Sequence, residues 1–468
     1  MFGRRSYLEA PLGGSVGWGR PILLGSVAAL GVLMAGCGNQ YRPVVSAINP
    51  VGPANQPAKY AVVISNPSAS SPGLLTFVDV SGDTVLSTPQ VLSNPSYLAL
   101  ASGGAQGYVI NSAGSLNEFA AGSPEQLLSS DIGQSTLSAG SSPVSISAIS
   151  LAGTNASVFV PEPGLSQVAA LTGTGSLEQN IGVPNNPVYV VGTNTAARAY
   201  VISEGDQVTP STVSSVESGN LAVSSTINVG INPVYGVMTA DGKRAFILNK
   251  GSGTVNVINV VNNGPDLAMP VIPATGTLGQ GPVWADLSPL TSQLVVLNQG
   301  DGVHPGSLSI INIPLCSTAS PATNPNCDPA NPVDAVGFGT VLKTVPVGIN
   351  PVMVSVLQDG TKAYVANQGN AAAGVEGSVS VVNLVSGTVT ATIPGISLAS
   401  ATSDTNTTPT KVYGHPTTIA ATTGTPTGKV YVTSADNKFL TVIETDTDTV
   451  TTHVNLQGLG VRVALTAP

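Results

Sequence analysis

Charge is what this sequence has least of. Only 8% of its 468 residues are charged and 4% aromatic, where an ordinary soluble domain is about one quarter charged. A surface so short of Lys, Arg, Asp and Glu must be built from Ser, Thr, Asn, Gln and Gly. Fifteen cationic residues face 24 acidic ones, a net charge of −9. That balance argues against nucleic acid as a partner, because nonspecific binding needs Lys and Arg to neutralise phosphates. Three His leave little for acid–base chemistry. His-Glu-x-x-His and Walker-type phosphate loops do not occur, and no cofactor is implied. The 53 Gly and 36 Pro follow no Gly-X-Y period, which excludes collagen. Abundant Val, Ile, Leu and Ala argue against disorder, and the β-branched bias with frequent Gly/Pro punctuation favours an all-β chain.

The first segment reads as an address. Arg4, Arg5 and Arg20 precede an apolar run from Pro21 to Met34 of about 14 residues, then Ala35-Gly36-Cys37. The run falls short of the roughly 20 residues of a membrane-spanning helix. Leu33-Met34-Ala35-Gly36-Cys37 resembles a bacterial lipobox, which implies a signal peptide over 1–36, lipidation of Cys37 and a tether over 37–56. The alternative is a plain secreted protein cleaved elsewhere. Gly38 after the Cys leans towards sorting to the outer membrane, on its periplasmic or surface face. Loss of 1–36 removes three Arg and Glu9, leaving 12 basic and 23 acidic residues, so the acyl chains rather than charge would hold the membrane. Cys316 and Cys327 remain, and an even pair in a turn-rich exported segment reads as a disulfide. Closing so short a loop would stabilise by about 3 kcal/mol.

Beyond the tether the chain repeats itself. Pro anchors recur at Pro95, Pro143, Pro187, Pro233, Pro282, Pro351 and Pro416, usually after Asn. Each opens a short apolar strand, then a turn such as Asp241-Gly242 or Asp359-Gly360. A second strand follows, as in Tyr108-Val109-Ile110-Asn111 or Tyr364-Val365-Ala366-Asn367, and then a third and a fourth. Self-similarity at 40–50 residues is the signature of propeller blades.

The combination of Asn-Pro, Asp-Gly-Lys, Tyr-Val-x-Asn and Thr-Val-x-Val-Ile-Asn resembles the YVTN-repeat family, the YncE-like β-propellers. The resemblance implies an all-β propeller of four-stranded antiparallel blades over 57–468. Eight second strands can be counted. Only seven carry a Pro anchor, and seven is the usual blade number in the family. For eight blades, the tail Gly460–Thr466 supplies the missing first strand beside residues 59–92, closing the ring with strands from both termini. A competing closure uses residues 43–48.

Antiparallel blades put the links between strands two and three, and the links between blades, at one end. Most of the long segments belong there: 203–220, 298–307, 367–377 and 394–415. That end is therefore expected to carry recognition. Two residues after the anchors come Tyr97, Ser145, Tyr189, Tyr235, Trp284, Met353 and Thr418. Four of the seven are Tyr or Trp, which together number only 13 in the chain. Such rings suit either ligand stacking or the filling of wedge-shaped gaps between blades. His304 and His415 fall at the same end, with Asp301 and Glu376 in equivalent loops, a set that would bind a divalent metal if it converged. The candidate ligand residues are thus Tyr97, Tyr189, Tyr235, Trp284 and His415. The expectation is a monomeric, lipid-anchored envelope protein binding protein, peptide or glycan. The alternative is a lactonase-like or metal-assisted hydrolase on the same scaffold.

Overall fold

The computed structural model describes residues 59–270, 281–288, 291–313, 338–396, 410–422 and 428–466. The expected lipidation site Cys37, the pair Cys316 and Cys327, and the signal and tether segments lie outside these residues. Eight small antiparallel sheets follow one another in chain order. A representative blade consists of Pro351–Val356, Lys362–Asn367, Ser378–Asn383 and Thr388–Ile396, and adds a two-residue strand, Val412–Tyr413. The inner strands of successive blades stand side by side. For example, 282–288 packs beside 351–356, 351–356 beside 416–421, and 416–421 beside 459–465.

The ring closes as the tail predicts. Leu459–Leu465 pairs antiparallel with Tyr60–Asn66, matching Val62 with Ala464 and Ile64 with Arg462. Blade 1 therefore takes its inner strand from the C-terminus and the others from the N-terminal side. The chain is an eight-bladed β-propeller.

The apolar core is divided among the blade interfaces. Eight buried clusters each join two neighbouring blades. One of them spans the closure itself, setting Tyr431, Leu440 and Val442 of blade 8 against Ala61, Val63 and Val463 of blade 1. Each fully buried Val, Leu or Ile contributes on the order of 1.5–3 kcal/mol, so stability is distributed around the ring.

The repeat motifs have local causes. Asn94, Asn186, Asn232 and Asn350 all adopt left-handed φ between 51° and 60°, and Ser142 (50°) and Gly281 (96°) do so before their Pro. Asn tolerates that region better than most residues. The Asn that ends the second strand crosses to the third: Asn367 Nδ2 donates to Ser378 Oγ (3.1 Å) and Ser380 Oγ (2.9 Å). Second-strand Tyr hydroxyls reach the next blade, Tyr364 to Asp448 (2.5 Å) and Tyr431 to Asp83 (2.9 Å). Asn259 and Asn383 cap their turns by accepting two backbone N–H groups each.

Two expectations need correction. The segment opened by Pro143 joins its sheet only through a single bridge, Ser147 to Phe159. Ser145 and Ser147 instead donate their hydroxyls to Val188 O (2.7 Å) and Val190 O (2.8 Å), which ties the segment to the inner strand of the next blade. The stretch 203–220 is also less irregular than its composition suggests. Pro210–Glu217 is a regular third strand, because Val213 and Val216 fall on opposite faces and are buried in the two flanking blade interfaces.

Candidate functional site

Strand register brings the aromatic residues together. In each Pro-anchored blade with a full inner strand, the residue two after Pro pairs with the third residue of the Tyr-Val-x-Asn stretch: Tyr97 with Ile110, Tyr189 with Ile202, Tyr235 with Leu248, and Trp284 with Leu297. Blade 1 has no Pro anchor, but Gly460 occupies its place opposite Ser65. Arg462 then falls opposite Ile64, in the same register as the rings. The eighth member of this circle is thus a cation, hidden in the sequence because the Pro that marks the other blades is absent.

These side chains meet one another. Tyr235 stacks on Trp284 with centroids 4.0 Å apart and an interplanar angle of 17°, and Tyr189 lies 4.7 Å from Tyr235. The guanidinium carbon of Arg462 sits 3.8 Å above the Tyr97 ring and 5.4 Å from that of Trp284. Blades 2 and 6 face each other across the ring, so Arg462 links the two sides of the channel. The rings also pack on the inter-blade layers. Burial pushes the Tyr189 and Tyr235 phenols well above their ordinary range, and Tyr189 raises Tyr235 further, so both stay protonated. Two residues beyond Trp284, burial raises the Asp286 carboxyl to about 6, although it accepts the backbone N–H groups of Val356 and Leu287 (both 2.8 Å).

His415 lies elsewhere. It lines a cleft of about 510 Å³ with Gly302, Asn350, Gln368, Asn370, Ala435 and Asp436. These residues come from links between strands two and three and from links between blades, the end expected to be elaborated. Asp436 grips His415 twice: Oδ2 is 2.6 Å from Nδ1 and Oδ1 accepts the backbone N–H at 2.9 Å. His304 pairs instead with Asp301 (2.7 Å) on the open surface. The backbone and ring N–H of His304 hold the Asp301 carboxyl well below the usual carboxylate range. The suspected convergence of Asp301, His304, His415 and Glu376 does not form. Among the described residues no three His, Cys, Asp or Glu side chains gather at metal-binding spacing.

Blade 8 departs from the repeat where the cleft opens. In blade 7, Asn350 before the anchor donates to Gln368 Oε1 (2.8 Å) just after the second strand, and in blade 4 Asn186 does so to Glu204 (2.9 Å). In blade 8 the corresponding residues are His415 and Ala435. The long polar side chain is missing, and the vacated space is part of the cleft.

No family model matches the chain, and no curated protein matches it. Solved structures do. AztD from Citrobacter koseri superposes with a TM-score of 0.58 at 13% identity, over 88% of this chain and 99% of that one. Dihydro-heme d1 dehydrogenase NirN in complex with DHE superposes with a TM-score of 0.58 at 11% identity, over 86% of this chain and 74% of that one. At such identities the likeness establishes the β-propeller fold alone.

Proposed function

We propose that this propeller is an exported, lipid-anchored binding module of the bacterial cell envelope, a divergent relative of the YVTN-repeat proteins that takes a peptide, protein or glycan on its loop-bearing end. The cleft at blade 8 is the observation that carries this reading. Its walls offer carboxamides at Asn350, Gln368 and Asn370 together with the His415–Asp436 pair, and among the lining residues there is no Lys or Arg. That chemistry suits a neutral ligand rich in hydroxyl or amide groups. Asp436 fixes the imidazole orientation, leaving Nε2 as the group available to a ligand. Anchoring through Cys37 rests on the lipobox-like sequence alone.

Glycan and peptide arrays probed with wild-type protein and with His415→Ala test the proposal. It expects a bound class whose signal falls at least about tenfold in the variant, the loss of one hydrogen bond to a polar partner. Equal binding by both proteins contradicts it. Labelling the host with a fatty-acid probe, with Cys37→Ser as control, tests the anchor separately.

A further inference from the structure

Arg462 is a cation without a counter-charge. Among the described residues, its guanidinium makes no hydrogen bond to the protein and no carboxylate pairs with it. The ion pairs there use Arg198, Arg244, Lys362, Lys429, His304 and His415. The omission is notable in a chain with 24 acidic residues for 15 basic ones. A half-buried guanidinium offers five N–H donors, and here none is spent on the protein itself. What surrounds Arg462 is aromatic. Tyr97 covers one face at 3.8 Å and Trp284 lies 5.4 Å away, and such contacts engage the π face but leave the in-plane donors free. Both Tyr97 and Arg462 act electrostatically on the Tyr189 hydroxyl, which places a neutral O–H donor in the same cluster.

We infer that Arg462, lying over the Tyr97 ring and within electrostatic reach of the Tyr189 hydroxyl, is a receptor in the central channel for a small ligand bearing a carboxylate or phosphate group. The guanidinium edge matches two oxygens of such a group, and the Tyr189 phenol adds a neutral polar group beside it. This site is separate from the His415 cleft, none of whose lining residues belongs to the cluster. It stands or falls independently of the function proposed above.

Trp284 makes the test direct. The chain has two Trp, and in a Trp18→Phe background Trp284 is the sole indole. Titration with acetate and with inorganic phosphate at constant ionic strength is expected to change its emission saturably. Response to one probe alone identifies which oxyanion the site prefers. Affinity should fall about tenfold or more in Arg462→Gln, and less in Arg462→Lys, which keeps the charge but loses the fork. Should Arg462→Gln fail to fold, Arg462→Lys and Tyr97→Leu, which removes the stacking face, provide the comparison. No saturable change with either probe, or affinities that do not differ between these variants and the parent, would overturn the assignment.

Discussion

Lys429 Nζ lies 2.6 Å from Asp83 Oδ2, joining blade 8 to blade 1 across 346 residues of sequence. The Tyr431 hydroxyl donates to the other oxygen of the same carboxylate. Blade 7 makes the equivalent contact with blade 8, where Lys362 and Tyr364 both meet Asp448. Asp83 and Asp448 occupy matching turns with φ of 52° and 53°. The clamp is a repeated inter-blade device, and at Asp83 it sits on the closure. Asp83→Ala removes the counter-charge of a largely buried ammonium, which keeps only the Val80 carbonyl, and the acceptor of a buried phenol. It is expected to destabilise by about 2–3 kcal/mol, and denaturant unfolding with an unchanged m-value checks this.

Glycine permits the Pro anchors to pack. A Cβ at Gly377 would overlap the Cδ of Pro416, and one at Gly73 would come within 2.6 Å of the Cδ of Pro95. Each third strand at these places opens against the anchor of the next blade. Gly377→Ala is expected to cost about 1–3 kcal/mol through overpacking. Gly122, where an added Cβ meets nothing within 4 Å, should accept Ala within about 0.5 kcal/mol. Thermal melts of the two variants decide the comparison.

Asp286 should make stability depend on pH in an unusual direction. Its native carboxyl titrates at about 6 because burial opposes ionisation, while an unfolded Asp titrates near 3.9. Between these values the native state holds a proton that the unfolded state has lost, so stability falls as pH rises through this window and then levels. Channel water screens a partly accessible group, which limits the loss to about 1–2 kcal/mol. In Asp286→Asn that loss should vanish. Parallel unfolding curves for wild type and variant from pH 4 to pH 7 would show otherwise.

The architecture was legible because its motifs are local solutions to backbone problems. Asn before Pro marks a left-handed residue, and Tyr-Val-x-Asn marks a buried strand whose last amide must find the third strand. The closing tail was legible because Gly460–Thr466 has strand character and no partner in its own repeat. Three features were not. Arg462 belongs to the aromatic circle only through pairing with Ile64, a contact between residues nearly 400 positions apart. The cleft arises from a side chain that Ala435 lacks, and an absence has no motif. The segment after Pro143 carries the anchor yet bridges its own sheet at Ser147 alone and ties to the next blade through Ser hydroxyls, which periodicity does not distinguish from a ladder.

Removing the last strand tests ring closure most directly. A chain ending at Leu456 loses the partner of Tyr60–Asn66 and the buried Val463 of the closing interface. Comparing its thermal unfolding with that of the full chain should show a loss on the order of 5 kcal/mol, from several buried aliphatic side chains and a full strand ladder, with a broad, less cooperative transition. An unchanged melting temperature and a transition as sharp as that of the full chain would contradict a propeller locked by its two ends.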